Sequence, residues 1–257
     1  MNIDQIISMI SSIGTFIATI IVFFTLLEMR KQRKNSMSPE LAFSRKRFYT
    51  YYVPYNDLLW VDKKLTGKKL DNIGNNYHNS FSIETNNIGM GTAKDIDIKW
   101  EFDIKNLIDR INKLDKNKIY EIKYIENKDS YNKRLIIKYC NRLLFYDMEN
   151  DLNDYHEYIL SSQIKNETFS IYFPECFIKL ISFLLYLFID NDFKEINEII
   201  HDFPKIKMQM NYYDIGGTKY QKNYLLKFNF YSFAKKQEES NLFKPAVDGF
   251  IEFVKIN

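Results

Sequence analysis

The chain has 257 residues, with 36 Lys and Arg against 33 Asp and Glu, three His and two Cys. A net charge of +3 over that length argues against a globally basic nucleic-acid binder. Two cysteines, Cys140 and Cys176, are too few for a disulfide framework and suit a reduced compartment.

In chain order, the first feature is a run of 23 residues between Asp4 and Glu28 without a charge. A bilayer core about 30 Å thick needs roughly 20 apolar residues in a helix, so a transmembrane helix is expected over residues 6–28, after a five-residue tail. The segment before it, MNIDQ, lacks the basic residues of a signal peptide, and the apolar run is too long for one. Ser8, Ser12, Thr15 and Thr19 share one helical face, and Gly14 and Ala18 are four apart. Small residues at that spacing let two backbones approach in lipid, which makes self-association of the span an expectation.

Arg30, Lys31, Arg33 and Lys34 follow directly. Positive residues stay on the cytoplasmic side, so the N-terminus is expected outside a cell's inner (plasma) membrane and the remainder in the cytoplasm. With Arg45, Lys46 and Arg47 they make seven basic residues against Glu40 alone between residues 30 and 50. Removing them leaves 29 basic against 30 acidic residues beyond Thr50. The basic block therefore lies where anionic lipid headgroups would be, and the bilayer is its expected partner. Residues 29–40 read as a basic juxtamembrane linker, because Ser36-Met37-Ser38-Pro39 breaks helical continuity.

Residues 41–257 read as one mainly-β domain with a few inserted helices. "DIDIKWEF" places Ile96, Ile98, Trp100 and Phe102 on one face, and "KIKMQMNYYD" does the same with Ile206, Met208, Met210 and Tyr212. Gly216-Gly217 between the latter and "YLLKFNFYSF" predicts a hairpin. Further strands are expected at 41–49, 80–86, 119–125, 135–140, 143–147 and 169–173. Eight or nine strands argue for a sandwich. Helices are expected at 104–114, around Leu152, Tyr155 and Ile159, at 175–189, and from Asp192 to Ile200. The 14-residue apolar run Cys176–Ile189 is too short to span a membrane, so a packed core helix is expected, with an interfacial helix as the alternative.

At "NNIGMGTAKDIDIKW" the pattern Asn87-Ile88-Gly89-Met90-Gly91-Thr92-Ala93 leads into an alternating strand. It resembles the turn and strand of Ig-like modules in bacterial surface and membrane proteins. With the N-terminal span, the whole looks like bacterial single-pass proteins carrying a cytosolic Ig-like β-sandwich. In layout alone it is also similar to membrane-anchored abortive-infection proteins of phage defence. The Gly pair lacks the third glycine of a dinucleotide fingerprint and precedes a strand, so a structural turn is expected and no phosphate site.

No catalytic or metal-binding signature stands out. His78, His156 and His201 are far apart and have neither HExxH nor CxxC company. A Cys140 or Cys176 nucleophile with His156 as base is the one enzymatic alternative, set against two buried small hydrophobes. No cofactor is expected. The 19 Tyr and 21 Phe, with "SRKRFYTYYVPY" (residues 44–55) mixing them with basic groups, raise single-strand nucleic-acid binding as an alternative. The favoured expectation is a non-enzymatic, membrane-anchored binding protein that recruits a protein partner, homo-oligomerises through its span, and acts in phage defence.

Overall fold

A computed structural model describes residues 3–53, 57–65, 81–126, 133–164, 168–191, 203–234 and 245–256. The expected helix from Asp192 to Ile200 lies outside them, as do His78 and His201. The chain opens with one long helix, α1 (Ile3–Ser36), and continues as a mainly-β domain.

Seven strands form the largest sheet, antiparallel throughout, in the order β3 (Asp57–Val61), β2 (Lys46–Val53), β13 (Val247–Ile256), β12 (Lys219–Phe233), β11 (Ile206–Tyr213), β5 (Ala93–Phe102) and β9 (Asn153–Ile159). A three-stranded sheet runs β1 (Leu41–Phe43), β4 (Ser82–Asn87), β10 (Phe169–Tyr172). A second runs β6 (Tyr120–Glu126), β7 (Lys133–Tyr139), β8 (Arg142–Asp147). Alternation explains the central strands: Ile96, Ile98, Trp100, Ile206, Met208, Met210 and Tyr212 are all buried, while Asp95, Asp97, Lys99 and Glu101 face solvent. A half-buried antiparallel sheet requires that pattern.

The inner face of the large sheet is covered twice over. β1, β4, β10 and the residues flanking them pack on it through Phe43 against Phe253 (ring centroids 4.7 Å), Phe81 against Trp60 (5.7 Å) and Phe173 against Trp100 (5.1 Å). The helix α4 (Glu175–Asp190) fills the rest, with Phe177 against Phe102 (4.9 Å) and Phe228 (6.1 Å). On its other side, Phe183 stacks on Tyr120 (4.1 Å) of the β6–β7–β8 sheet. The helix α2 (Ile104–Leu114), whose first turn is capped by Asp103 accepting from the Asn106 N–H (3.0 Å), packs alongside α4. Of the fourteen consecutive side chains of α4 from Cys176 through Ile189, all but Tyr186 are buried. It is a core helix; the interfacial alternative is excluded because it has no free face.

An ion pair is buried in that core. Lys179 of α4 is ion-paired with the Asp57 carboxylate of β3, whose other oxygen accepts from the Leu58 N–H (2.8 Å). The ammonium also lies over the Tyr139 ring, 4.9 Å from its centroid. Nearby, the Trp60 indole donates to Ser182 Oγ (2.8 Å). Two polar links thus fasten the edge strand β3 to the helix. Pro174, at the N-cap, supplies no side-chain bond. Asp151, from the short helix α3 (Met148–Leu152), accepts instead from the Glu175 N–H (2.8 Å) and the Cys176 N–H (2.9 Å). A carboxylate at that end is favoured by the helix dipole.

Two expectations are corrected. Residues 153–159 form the strand β9 and not a helix: only Met148–Leu152 is helical, and "NDYHEYI" pairs with β5 from Ile159↔Ala93 to Asn153↔Lys99. The spacing of Leu152, Tyr155 and Ile159 was misleading because β-favouring tyrosines on alternate sides gain a ladder of backbone bonds. Strand 41–49 divides at residues 44–45, so that β1 and β2 join different sheets. Two strands, β3 and β13, carry no prediction.

Lys179→Met is expected to destabilise the protein by about 3–5 kcal/mol, since it leaves Asp57 charged and buried. Pairing it with Asp57→Leu should recover much of that loss. Denaturant unfolding of the two variants in detergent checks both.

Candidate functional site

The region where α1 meets the β domain concentrates the unusual chemistry. Ser11–Arg33 is long and apolar enough to cross a membrane, and none of it is buried against the rest of the protein. Ile13, Phe16, Ile17, Ile20, Ile21, Val22, Phe23, Phe24, Leu26 and Leu27 are all exposed. Exposed apolar side chains therefore run along most of this helix, with no part of the β domain covering them.

The predicted stripe of Ser8, Ser12, Gly14, Thr15, Ala18 and Thr19 is exposed along α1. Its hydroxyls turn inward on their own helix: Ser12 Oγ donates to the Ser8 carbonyl (2.9 Å), Thr15 Oγ1 to Ser11 (2.9 Å) and Thr19 Oγ1 to Thr15 (2.8 Å). Such bonds satisfy the hydroxyls without a second chain. The stripe therefore offers small surface, and not unmet hydrogen bonds, to any neighbour.

Helix α1 does not end with the apolar run. It continues through Arg30, Lys31, Arg33 and Lys34 to Ser36, so most of the expected linker is helical. Glu, Met, Arg, Lys and Gln all propagate helices well, and the cations complement the C-terminal end of the dipole. Arg30, Lys31 and Arg33 are exposed.

The link to the domain is short and heavily bonded. Asn87, at the end of β4, is buried and uses its whole amide. Its Oδ1 accepts from the Glu40 N–H (3.0 Å) and the Gly89 N–H (3.2 Å), and its Nδ2 donates to the carbonyls of Gly91 (2.7 Å) and Ile159 (3.2 Å). Around it, the Ile88 N–H donates to the Glu40 carbonyl (2.8 Å), the Ser162 N–H to the Asn87 carbonyl (2.8 Å), and Ser161 Oγ to the Gly89 carbonyl (2.5 Å). The glycines are required by proximity. A Cβ on Gly91 would overlap the Met37 carbonyl, and one on Gly89 would overlap the Ser38 carbonyl and the Glu40 nitrogen. The motif is the turn expected from its sequence, and it also clamps the exit of α1. Spacing showed the turn; nothing in the sequence pointed to residues 37–40 as its partner.

The Glu40 carboxylate adds charge beside buried phenols. Tyr224, under β1, has its phenol pushed up to about 12, by burial first and by Glu40 second. Tyr212 is raised in the same direction, chiefly by burial.

The remaining basic residues are placed differently from the first four. Arg45 lies over the Phe250 ring (4.2 Å) and 3.5 Å from Glu252; Arg47 lies between Tyr49 (5.7 Å) and Tyr231 (5.6 Å), 3.9 Å from Asp248. Lys46 points to the opposite face, between Asp62 (3.4 Å) and Glu84 (3.5 Å). Each has a carboxylate at hand.

Cys176 is buried and its thiol is raised well above the usual range, by burial first and then by Asp151. Such a thiol is a poor nucleophile. His156 bonds Asp154 (2.9 Å) and packs on Phe169 (4.2 Å), whereas Cys140 is exposed at the β7–β8 turn. Among the described residues, no three His, Cys, Asp or Glu side chains converge as a metal set. No known protein family, curated protein or solved structure matches this chain.

Asn87→Ala is expected to cost about 2–4 kcal/mol, because buried donors and acceptors lose their partners. Gly91→Ala should open the clamp, speeding protease cleavage between residues 36 and 40 while leaving the melting of the β domain closer to wild type. Limited proteolysis and thermal melts distinguish the two effects. Burial of Tyr224 predicts a separate alkaline limit. Its folded pKa lies above the ordinary 10.0, so this stability is full below pH 10 and lost as pH rises toward about 12. Unfolding free energy measured across that window, in wild type and Tyr224→Phe, tests it.

Proposed function

We propose that this protein is a single-pass membrane protein whose β domain is held at the cytoplasmic face to recruit a partner protein. The observation that carries the reading is an exposed α1, uncharged from Ser11 to Leu27, joined without a flexible break to a folded domain through the Asn87 clamp. A cleavable signal sequence is disfavoured by the same continuity: the helix runs on past the basic cluster, and the residues after it are built into the fold. The four basic residues at positions 30–34 support the orientation with the N-terminus outside. Packing of the β1–β4–β10 sheet on the large sheet supports an Ig-like sandwich, and the small-residue stripe of α1 supports self-association in lipid. The layout of anchor plus cytosolic module is the basis for a role in phage defence.

Single-strand nucleic-acid binding at Arg45 and Arg47 is less well supported. Their aromatic neighbours suit base stacking, but Glu252 and Asp248 already neutralise them.

Cys140 reports the orientation directly. It is exposed while Cys176 is buried. In intact cells a membrane-impermeant maleimide should leave Cys140 unlabelled, and permeabilisation should expose it. Labelling in intact cells would reverse the proposed sidedness.

A further inference from the structure

The end of the β domain at which α1 leaves it is built from three turns. One joins β4 to β5 and holds the Asn87 clamp. The second is the Asp214–Thr218 hairpin between β11 and β12. It lies at the same end because Tyr213, the last residue of β11, pairs with Lys94 at the start of β5. The third begins where β9 ends, since Ile159 pairs with Ala93 and Ser161 bonds Gly89.

Each turn holds a large apolar side chain out to solvent. Ile88 and Met90 are 55 % and 48 % exposed, Ile215 is 74 % exposed, and Ile164 is 67 % exposed. Met37, the residue after α1, is 59 % exposed. Nothing in turn formation demands this. The hairpin closes through Asp214, which accepts from the Thr218 N–H (2.7 Å) and the Tyr220 hydroxyl (3.1 Å), with Gly217 taking the positive φ. Ile215 contributes nothing to that scheme. Behind the tips stand Lys219 and Lys222 on β12 and Lys255 on the adjacent β13, with the Glu40 carboxylate acting on Lys222. Met37 is three residues beyond Lys34, about 4.5 Å along a helix. The headgroup layer on one side of a bilayer is roughly 5–7 Å deep. The tips are thus brought to the headgroups by the same helix that crosses the bilayer.

We infer that this end of the domain is a second membrane contact: the tips at Ile88, Met90, Ile164 and Ile215 enter the lipid interface beside α1, and the lysines behind them meet anionic headgroups. This inference rests on the reading of α1 as an anchor. Interfacial contacts of this kind gain from buried apolar area and from attraction to anionic lipid. Docking at several points orients the domain on the bilayer and leaves the far end of β12, with Tyr231, facing the cytoplasm.

The test uses the full chain with Cys140→Ser, carrying Ile88→Cys, Ile215→Cys or the far-end control Tyr231→Cys. Each is labelled with an environment-sensitive nitrobenzoxadiazole dye and reconstituted into phosphatidylcholine vesicles with or without phosphatidylglycerol. The dye at 88 and 215 is expected to be quenched by lipids bearing a shallow nitroxide and to show several-fold less quenching by iodide than at 231. Protection should deepen with phosphatidylglycerol. Equal iodide quenching at all three positions overturns the inference. Protection without nitroxide quenching also overturns it, and assigns the tips to a protein contact or a second copy. Equal protection in both lipid mixtures removes the lysines from the contact. A chain that does not float with the vesicles overturns the anchor reading as well, whereas floating with wet tips overturns this inference alone.

Discussion

The structure depends on the side chain of one buried asparagine. Asn87 joins β4, the turn after it, the end of β9 and the segment leaving α1, using both lone-pair directions of its oxygen and both protons of its nitrogen. A buried amide is stable only when each group is paired. Here full pairing is reached only if all four backbone segments stand in place together. The glycines on either side of Met90 complete the arrangement by letting the chain at Met37–Glu40 lie directly against the turn. Helix α1 is therefore attached to the domain by its core and not by a tether. Any force or tilt on α1 reaches β4, β5 and β9 through short bonds.

The second constraint is the space between the sheets. The large sheet presents Trp60, Trp100, Phe102 and Phe228 to one side, and the two smaller sheets cannot cover that area alone. Helix α4 fills it, which explains why a helix of mixed Ile, Leu and Phe has almost no polar face. The single basic residue within it, Lys179, is matched by Asp57 from the edge strand. A buried pair of this kind adds little net stability compared with apolar packing, but it penalises any arrangement in which either charge is left alone. It therefore acts on register: β3 can sit against α4 in one position only.

Together these features join the β domain to α1 as its stem. The clamp holds the stem, α4 holds the sheets, and the apolar turn tips lie at the stem end. The cations of β2, each set beside a carboxylate, belong to the structure of the sheet face more than to the membrane.

Sequence alone determined the features that depend on a residue and its near neighbours. The N-terminal apolar helix, the basic cluster after it, the alternation of β5 and β11, the Gly216-Gly217 hairpin and the turn at Gly89 to Gly91 were all legible, because period, charge and glycine act locally. What depends on distant partners was not. Whether residues 153–159 become strand or helix was decided by the open edge of β5. Burial of α4 on all sides was decided by sheets formed from both ends of the chain. The neutralisation of Arg45 and Arg47 by Glu252 and Asp248 required β13 to lie beside β2, some two hundred residues away in sequence. The gathering of Ile88, Ile164 and Ile215 at one end was likewise invisible in sequence, since single exposed aliphatics in three separate turns carry no pattern. Only strand register brings them together at the foot of the helix.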